Sequence, residues 1–209
     1  MKPPQNMSAI ILAGGKSVRM KENKPLLPVQ GIPLIQKIAR NLEPHFQEIL
    51  ISAQSSEVFA FLPYPVIVDK EPGQGPLMGI LSGLAASANP ICFMIACDIP
   101  EIDAAFLHRM MSYARQYEIV VPVSGEDKFE PLFAFYHKCL IPRVENLLKQ
   151  QTRQVIQLFP LARTKYLPLE ERDWFYNLNN TEDYRRYLER LSSASTAGSQ
   201  TFERNRKNI

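Results

Sequence analysis

The order of short apolar runs and longer amphipathic segments constrains the fold of this chain more than any other feature. The run ICFMIA at residues 91–96 is short and strongly apolar, as expected of a central strand that is covered on both faces. Runs rich in branched side chains predict further strands at 7–12, 48–52, 64–69 and 119–123. Amphipathic segments predict helices at 33–42, 75–88 and 104–117. This alternation favours an open, mostly parallel α/β sheet with helices on both sides.

The second half of the chain is less regular. Strands are predicted at 131–136 and, at sheet edges, at 165–167 and 174–176; helices are predicted at 139–149, 153–159 and 181–191. Thr181 is the predicted N-cap of the last helix, because Glu182 and Asp183 follow it in the first turn. From residue 192 onward, Ser, Thr, Gly, Asn and charged residues predominate. We therefore expect a single domain over 7–191 and a disordered polar and basic tail over 192–209.

Composition argues against several classes of protein. The formal charge is only +3 and no concentrated basic face precedes the tail, so nucleic acid is not an expected partner. No stretch approaches the ~18 uninterrupted apolar residues of a membrane span, and the first residues lack the apolar run of a signal peptide. Cys92, Cys97 and Cys139 are scattered and odd in number, which disfavours a disulfide framework or a zinc site. The cytoplasm is the expected compartment.

Polar side chains follow several of the predicted strands, where an open α/β sheet binds its ligands. After the first strand, Gly14 and Gly15 permit a sharp turn with exposed amides. Lys16, Arg19 and Lys24 then supply cations that suit a polyphosphate. The segment has neither the spacing of a P-loop nor the three glycines of a dinucleotide-binding loop. On this pattern alone, an ordinary tight turn is the more frequent explanation.

Three other polar positions leave similar alternatives open. Asp98 follows the apolar run at 91–96. A carboxylate at this position could serve either as a Mg²⁺ ligand or as a cap of the segment that follows. Asn177 and Asn179 alternate on a predicted extended segment, so both side chains would point to one face. Taken alone, a plain turn before the last helix is the simpler explanation of the two asparagines.

Blocks along the chain resemble the molybdenum cofactor guanylyltransferase family, whose members are also called molybdopterin-guanine dinucleotide biosynthesis protein A. The first block is LAGGKSVRM at 12–20, followed by Asn23 and Lys24. The other blocks are GIPL at 31–34, Asp69, GPLMGI at 75–80, CDIP at 97–100, EPLFAFY at 130–136 and NLN at 177–179. Related sugar and alcohol nucleotidyltransferases share the first block, but the whole set in this order covers about residues 7–190.

The resemblance implies a three-layer, Rossmann-like nucleotidyltransferase fold. It also implies transfer of GMP from GTP to the terminal phosphate of molybdopterin carrying molybdenum or tungsten, with release of pyrophosphate. The implied catalytic residues are Arg19, Lys24 and Asp98, with Asp98 holding Mg²⁺. Nucleotide contacts are implied at Leu12, Ala13, Gly14, Gly15, Lys24, Ser52, Asp69 and Asp98. The resemblance places Asn177 and Asn179 on the side of the site that binds the acceptor. It also makes other cofactor-biosynthesis or delivery proteins possible partners.

Two positions depart from the family pattern. Lys21 stands where Gly is usual, and Asn23 stands where Asp is usual. Two alternatives therefore stay open: a cytidylyltransferase of the same fold acting on molybdopterin or on a sugar or alcohol phosphate, and a nucleotide-binding module without catalysis. Gly14 followed by Gly15 resembles the guanine-specific relatives, since the cytidine-specific relatives usually have Ala-Ala-Gly at this point.

Overall fold

An eight-stranded sheet between two layers of helices organises the chain. The computed structural model describes residues 6–14, 23–69, 74–126, 128–169 and 174–206, with side chains described as far as residue 193. The strands are β1 (Met7–Leu12), β2 (Pro28–Val29), β3 (Ile32–Pro33), β4 (Glu48–Ala53), β5 (Val66–Val68), β6 (Ile91–Ala96), β7 (Ile119–Gly125), β8 (Lys128–Phe129), β9 (Phe133–His137) and β10 (Thr164–Pro168). The helices are α1 (Leu34–Leu42), α2 (Pro76–Ala86), α3 (Ala104–Ala114), α4 (Ile141–Lys149) and α5 (Thr181–Arg206).

The large sheet is mostly parallel. Its strands lie in the order β10-β7-β9-β6-β1-β4-β5, with β8 paired to β7, while β2 and β3 form a separate hairpin. The central strand β1 pairs in parallel with β4 on one side and β6 on the other. Among the described strands of this sheet, only β8 and β9 run against their neighbours. The predicted α/β fold with a mostly parallel central sheet is confirmed.

Successive residues of the central strands point into two separate cores. In β6, Phe93 and Ile95 pack in the core that includes residues of α1, α3 and α5. Cys92 and Met94 pack in the opposite core with residues of α2 and α4. All four side chains are fully buried. The run at 91–96 contains no charged residue because helices cover the strand on both faces.

The β2–β3 hairpin was not predicted, because two-residue strands are too short to show a periodic pattern. Gln30 and Gly31 form its turn with φ values of 51° and 84°. Two consecutive positive φ values are typical of the type I′ turn that joins hairpin strands. The prediction of an edge strand at 174–176 is wrong, because no strand is formed there. The rings of Trp174 and Phe175 instead pack on each other and on Phe133.

The last helix also differs from its prediction at both ends. Asn180, rather than Thr181, is the N-cap, because its Oδ1 accepts a hydrogen bond of 3.0 Å from the Asp183 amide and Asp183 Oδ2 accepts one of 3.2 Å from the Asn180 amide. The helix continues to Arg206, beyond its predicted end at residue 191, whereas the domain bounds of 7–191 stay a prediction. No proline follows Pro168, so the segment lacks the residue that most strongly interrupts a helix. No helix within the described ranges is long and apolar enough to cross a membrane.

Glu118, just before β7, gives the fold a pH dependence that can be measured. Its carboxylate accepts hydrogen bonds from the Arg163 amide at 2.8 Å and from Arg143 Nη1 at 2.9 Å. The hydrogen bond from the Arg163 amide, followed by the contact with Arg143, lowers the pKa of Glu118 to about 2. A carboxylate with a lowered pKa stabilises the fold above its unfolded pKa, and this contribution is lost as the pH falls through its folded pKa.

We therefore expect Glu118→Gln to lower the free energy of unfolding by about 1 kcal/mol at pH 7, as is typical of a partly exposed charged hydrogen-bond acceptor. The difference from wild type should shrink between pH 4.5 and pH 2, the range between the ordinary and the lowered pKa. Urea unfolding at several pH values measures it. Glu145→Gln, at an exposed site on α4, is the control. A difference that does not change with pH would contradict the prediction.

Candidate active site at the carboxyl ends of the parallel strands

A cavity of about 480 Å³ opens where β1, β4, β5 and β6 end. Its volume lies within the range of small-ligand sites, about 300–1,000 Å³. It is lined by Leu12, Gly14, Lys24, Ser52, Gln54, Asp69, Gln74, Gly75, Pro76, Gly79, Ala96, Cys97, Asp98 and Leu132. The structure thus brings together six predicted site residues: Leu12, Gly14, Lys24, Ser52, Asp69 and Asp98. Parallel strands in one sheet bring their carboxyl ends to one edge, which is why residues distant in sequence meet there.

The wall nearest β4 is formed by Asp69 and its neighbours. Ser52 Oγ, almost fully buried, donates a 3.0 Å hydrogen bond to Asp69 Oδ1. The amide of Asp69 donates to the Ala53 carbonyl at 3.1 Å. A methyl group added at Gly14 would lie 3.4 Å from Asp69 Oδ2. The chain after β1 therefore passes close to the Asp69 carboxylate.

Ala13 and Gln54 hold the chain after β1 in this position. The amide of Ala13 donates to the Ser52 carbonyl at 2.8 Å. Gln54 Nε2 donates to the Gly14 carbonyl at 2.9 Å. Gln54 was missed in the sequence, although it follows Ser52 by two positions and side chains two apart on a strand share a face. Its side-chain amide binds a residue forty positions earlier in the chain. A single sequence gives no sign of such a distant contact.

A further part of the wall is formed by the first turns of α2. Gly75 precedes the helix with a φ of 81°, a backbone conformation that favours glycine. A methyl group added at Gly79 would lie 3.1 Å from Leu12 Cδ2 and 3.3 Å from Ser52 Oγ. The helix thus approaches β1 and β4 closely enough that a larger residue at position 79 would have to displace them or intrude on the cavity.

Lys24 and Asp98 place opposite charges at the cavity wall. Lys24 Nζ lies 3.8 Å from Asp98 Oδ2, and the two side chains are 13% and 26% exposed. Burial raises the pKa of Asp98, and the nearby Lys24 ammonium opposes that rise. Burial likewise raises the pKa of the neighbouring Cys97 thiol to about 12, so this cysteine is not a thiolate at neutral pH. An ammonium group and a carboxylate therefore face one cavity. The ammonium group suits a phosphate, and the carboxylate suits a metal ion.

The loop that carries Asp98 is fixed by backbone hydrogen bonds on two sides. The Cys97 amide donates to the Leu12 carbonyl at 3.2 Å, and the Leu178 amide donates to the Asp98 carbonyl at 2.8 Å. Asn177 therefore lies next to the Asp98 loop, and its Oδ1 atom is buried without a hydrogen-bond partner. An unpaired buried carbonyl oxygen is costly unless a ligand satisfies it.

Asn179 lies in a turn, which is the simpler of the two explanations open from the sequence. Its amide donates to the Asn177 carbonyl at 3.0 Å and to Asp183 Oδ2 at 2.9 Å, so the chain turns here instead of remaining extended. The residue is exposed, whereas the intervening Leu178 is fully buried. The tight turn brings the chain into the cap of α5, and the alternation expected of a strand does not apply.

The donor set is compatible with Mg²⁺ but not with a multi-ligand protein cage. Within the described ranges, no three His, Cys, Asp or Glu side chains come together as a metal-binding group. The Asp98 carboxylate and the unpaired side-chain Oδ1 of Asn177 are both hard oxygen donors. Mg²⁺ commonly takes one or two such groups and completes its shell with waters and substrate phosphates. Gly15, implied as a nucleotide contact, and Arg19, implied as a catalytic residue, lie outside the described residues.

Comparison with known proteins places this site in a family context. The model of the MobA-like NTP transferase domain matches residues 9–164. A probable molybdenum cofactor guanylyltransferase from Carboxydothermus hydrogenoformans is 34% identical over 195 residues, covering 90% of this chain and 98% of the relative. A second protein of that name, from Pelotomaculum thermopropionicum, is 34% identical over 183 residues, covering 84% and 89%. The structure of molybdopterin-guanine dinucleotide biosynthesis protein A from Archaeoglobus fulgidus has a TM-score of 0.78 at 22% identity, covering 89% of this chain and 99% of that one, and supports the fold.

Proposed function

The chain belongs to the MobA-like NTP transferase family, and from this premise we propose that it transfers GMP from GTP to the terminal phosphate of molybdopterin carrying molybdenum or tungsten. The observation that carries the proposal is the Lys24–Asp98 pair facing a nucleotide-sized cavity beside the chain that follows β1. Relatives named molybdenum cofactor guanylyltransferase match most of the chain. We propose the cytoplasm as the compartment, in keeping with three free cysteines.

In the proposed reaction, an oxygen of the acceptor phosphate attacks the α-phosphorus of GTP. A new P–O bond forms, the bond from the α-phosphorus to the bridging oxygen breaks, and its electron pair leaves with pyrophosphate. Lys24 offsets the charge that develops on the phosphates, and the protein acts chiefly by positioning and electrostatics. The backbone of Leu12, Ala13 and Gly14, with Ser52 and Asp69, holds the nucleoside.

Asp98 is the residue that we propose to hold Mg²⁺, which when bound offsets phosphate charge and orients the phosphates. The unpaired Oδ1 of Asn177 lies by the same loop and is a second oxygen donor on the acceptor side. Asn179, which is exposed, is proposed to contact the acceptor rather than the nucleotide. Leu132, directly before β9, lines the cavity and is an apolar contact for the acceptor.

Thermal unfolding with each of the four common nucleoside triphosphates, with and without Mg²⁺, tests the proposal. GTP with Mg²⁺ at 100 times its Kd is expected to stabilise the protein by ~2.7 kcal/mol. This corresponds to a Tm increase of roughly 5–10 °C for a domain of this size. CTP is expected to have little effect, and stabilisation by CTP but not GTP would instead favour a cytidylyltransferase of the same fold.

Pyrophosphate release from GTP, Mg²⁺ and molybdopterin distinguishes the enzyme from a binding module without catalysis. The enzyme releases pyrophosphate only when the acceptor is present, because no covalent enzyme intermediate is needed. A protein that binds GTP tightly yet releases no pyrophosphate with either metal form of the acceptor would contradict the proposed activity.

A further inference from the structure

Two tyrosines one turn apart on α5 reach the two loops that carry the charged pair. The hydroxyl of Tyr184 donates a hydrogen bond to the Pro28 carbonyl in β2, two residues after the short 3₁₀ helix Lys24–Leu26. The hydroxyl of Tyr187 donates a 2.6 Å hydrogen bond to Glu101 Oε1, in the segment that follows Asp98. Residues three apart on a helix lie on one face, so both contacts are made from the same side of α5.

The Tyr187 contact is partly buried and charge-assisted. Tyr187 is 2% exposed, and Lys37 Nζ of α1 lies 3.2 Å from the same Glu101 oxygen. Hydrogen bonds to an ionised acceptor are shorter and stronger than neutral ones. The Leu178 amide, just before α5, adds a hydrogen bond to the Asp98 carbonyl. The Asp98–Glu101 segment is thus held at both ends by residues in or next to the last helix.

The Lys24–Asp98 pair does not fix its own geometry. Its atoms are 3.8 Å apart, beyond the 2.7–2.9 Å typical of a charge-assisted hydrogen bond. The backbone segments that carry the two residues must therefore set their separation. A misplacement of about 1 Å in a catalytic group can cost about 100-fold in rate.

We propose that Tyr184 and Tyr187 are positioning residues, which hold the Lys24 and Asp98 loops at the separation that phosphate transfer requires. The inference rests on the proposed function and assigns α5 a role in it. Neither tyrosine lines the cavity, so each acts through the loop that it holds and not through the substrate.

Tyr187→Phe is the primary test, and Tyr64→Phe is its matched control. Tyr64 donates a 2.7 Å hydrogen bond to Glu43 Oε1, so its variant also loses one tyrosine–glutamate bond. Tyr64 precedes β5, at the end of the sheet opposite the cavity. Both variants are expected to lower Tm by a few degrees, as the loss of one such bond does.

Turnover separates the two variants. We expect kcat to fall about tenfold or more in Tyr187→Phe and to change less than twofold in Tyr64→Phe. The Kd of a fluorescent GTP analogue without Mg²⁺ should change less than threefold in both, because neither tyrosine lines the nucleotide cavity. Tyr184→Phe is expected to lower kcat in the same way, and Glu101→Gln, which keeps an acceptor for Tyr187, is expected to lower it less than Tyr187→Phe.

The outcomes distinguish this inference from the proposed function. An inactive wild-type protein that does not bind GTP overturns the proposed function itself. A fully active wild type in which Tyr187→Phe and Tyr64→Phe have equal kcat values overturns the positioning role alone. If Tyr187→Phe does not fold, Tyr184→Phe decides, and a normal kcat in that variant likewise overturns the positioning role.

Discussion

Replacing Asp98 with asparagine is expected to reduce the proposed GMP transfer about 1,000-fold while leaving the protein at least as stable as wild type. Asparagine keeps the size of the side chain but removes the negative charge that would hold the proposed Mg²⁺. Burial raises the pKa of Asp98, so its ionised form is disfavoured in the folded state. A carboxyl with a raised pKa costs stability above its folded pKa, and this cost disappears below its unfolded pKa. The variant removes that cost at pH 7.

Asp103→Ala is the contrasting control for Asp98→Asn. Asp103 caps α3, where its Oδ1 accepts a 2.6 Å hydrogen bond from the Phe106 amide. Loss of an N-cap typically lowers the free energy of unfolding by about 1 kcal/mol, and the transfer rate should stay near that of wild type. Pyrophosphate release and urea unfolding of both variants measure the difference. If Asp98→Asn were the less stable variant and still active, Asp98 would have a structural role only.

The position of the site was predictable because it follows from how parallel strands are built. The apolar runs at 7–12 and 91–96 were predicted with the bounds that the structure shows, since both faces of these strands are covered. The polar residues directly after such runs then had to meet at one edge of the sheet. Asp98 and Asp69 could therefore be placed together without any knowledge of the loops between them.

The features that could not be predicted depend on contacts between segments distant in sequence. Gln54 binds the Gly14 carbonyl, and Tyr187 binds Glu101, across forty and eighty-six residues. A single sequence contains no local signal for such pairs. The path of the turn at Asn177 and Asn179 could not be predicted for the same reason, because the cap of α5 and the Asp98 carbonyl determine it. The roles of Gly15 and Arg19 stay predictions.

Lys24→Ala is expected to lower the proposed transfer by about 100- to 1,000-fold and also to destabilise the protein. The ammonium lies 3.8 Å from Asp98 and is only 13% exposed, so its removal leaves a largely buried carboxylate without its cation. Breaking a fully buried pair typically costs 3–5 kcal/mol, and the partial exposure of Asp98 reduces the expected loss to about 1–2 kcal/mol. Lys24→Arg keeps the charge and should retain more activity, although a guanidinium does not reproduce the compact ammonium.

A double-mutant cycle shows whether the effects of Lys24 and Asp98 on transfer are coupled or independent. If the two residues act together, Lys24→Ala should reduce transfer far less in the Asp98→Asn background than in wild type. The loss of stability should also largely disappear there, because no unpaired carboxylate remains. Pyrophosphate release and urea unfolding of the four proteins complete the cycle. Additive effects on both rate and stability would mean that the 3.8 Å approach has no functional consequence, and that Lys24 and Asp98 contribute separately.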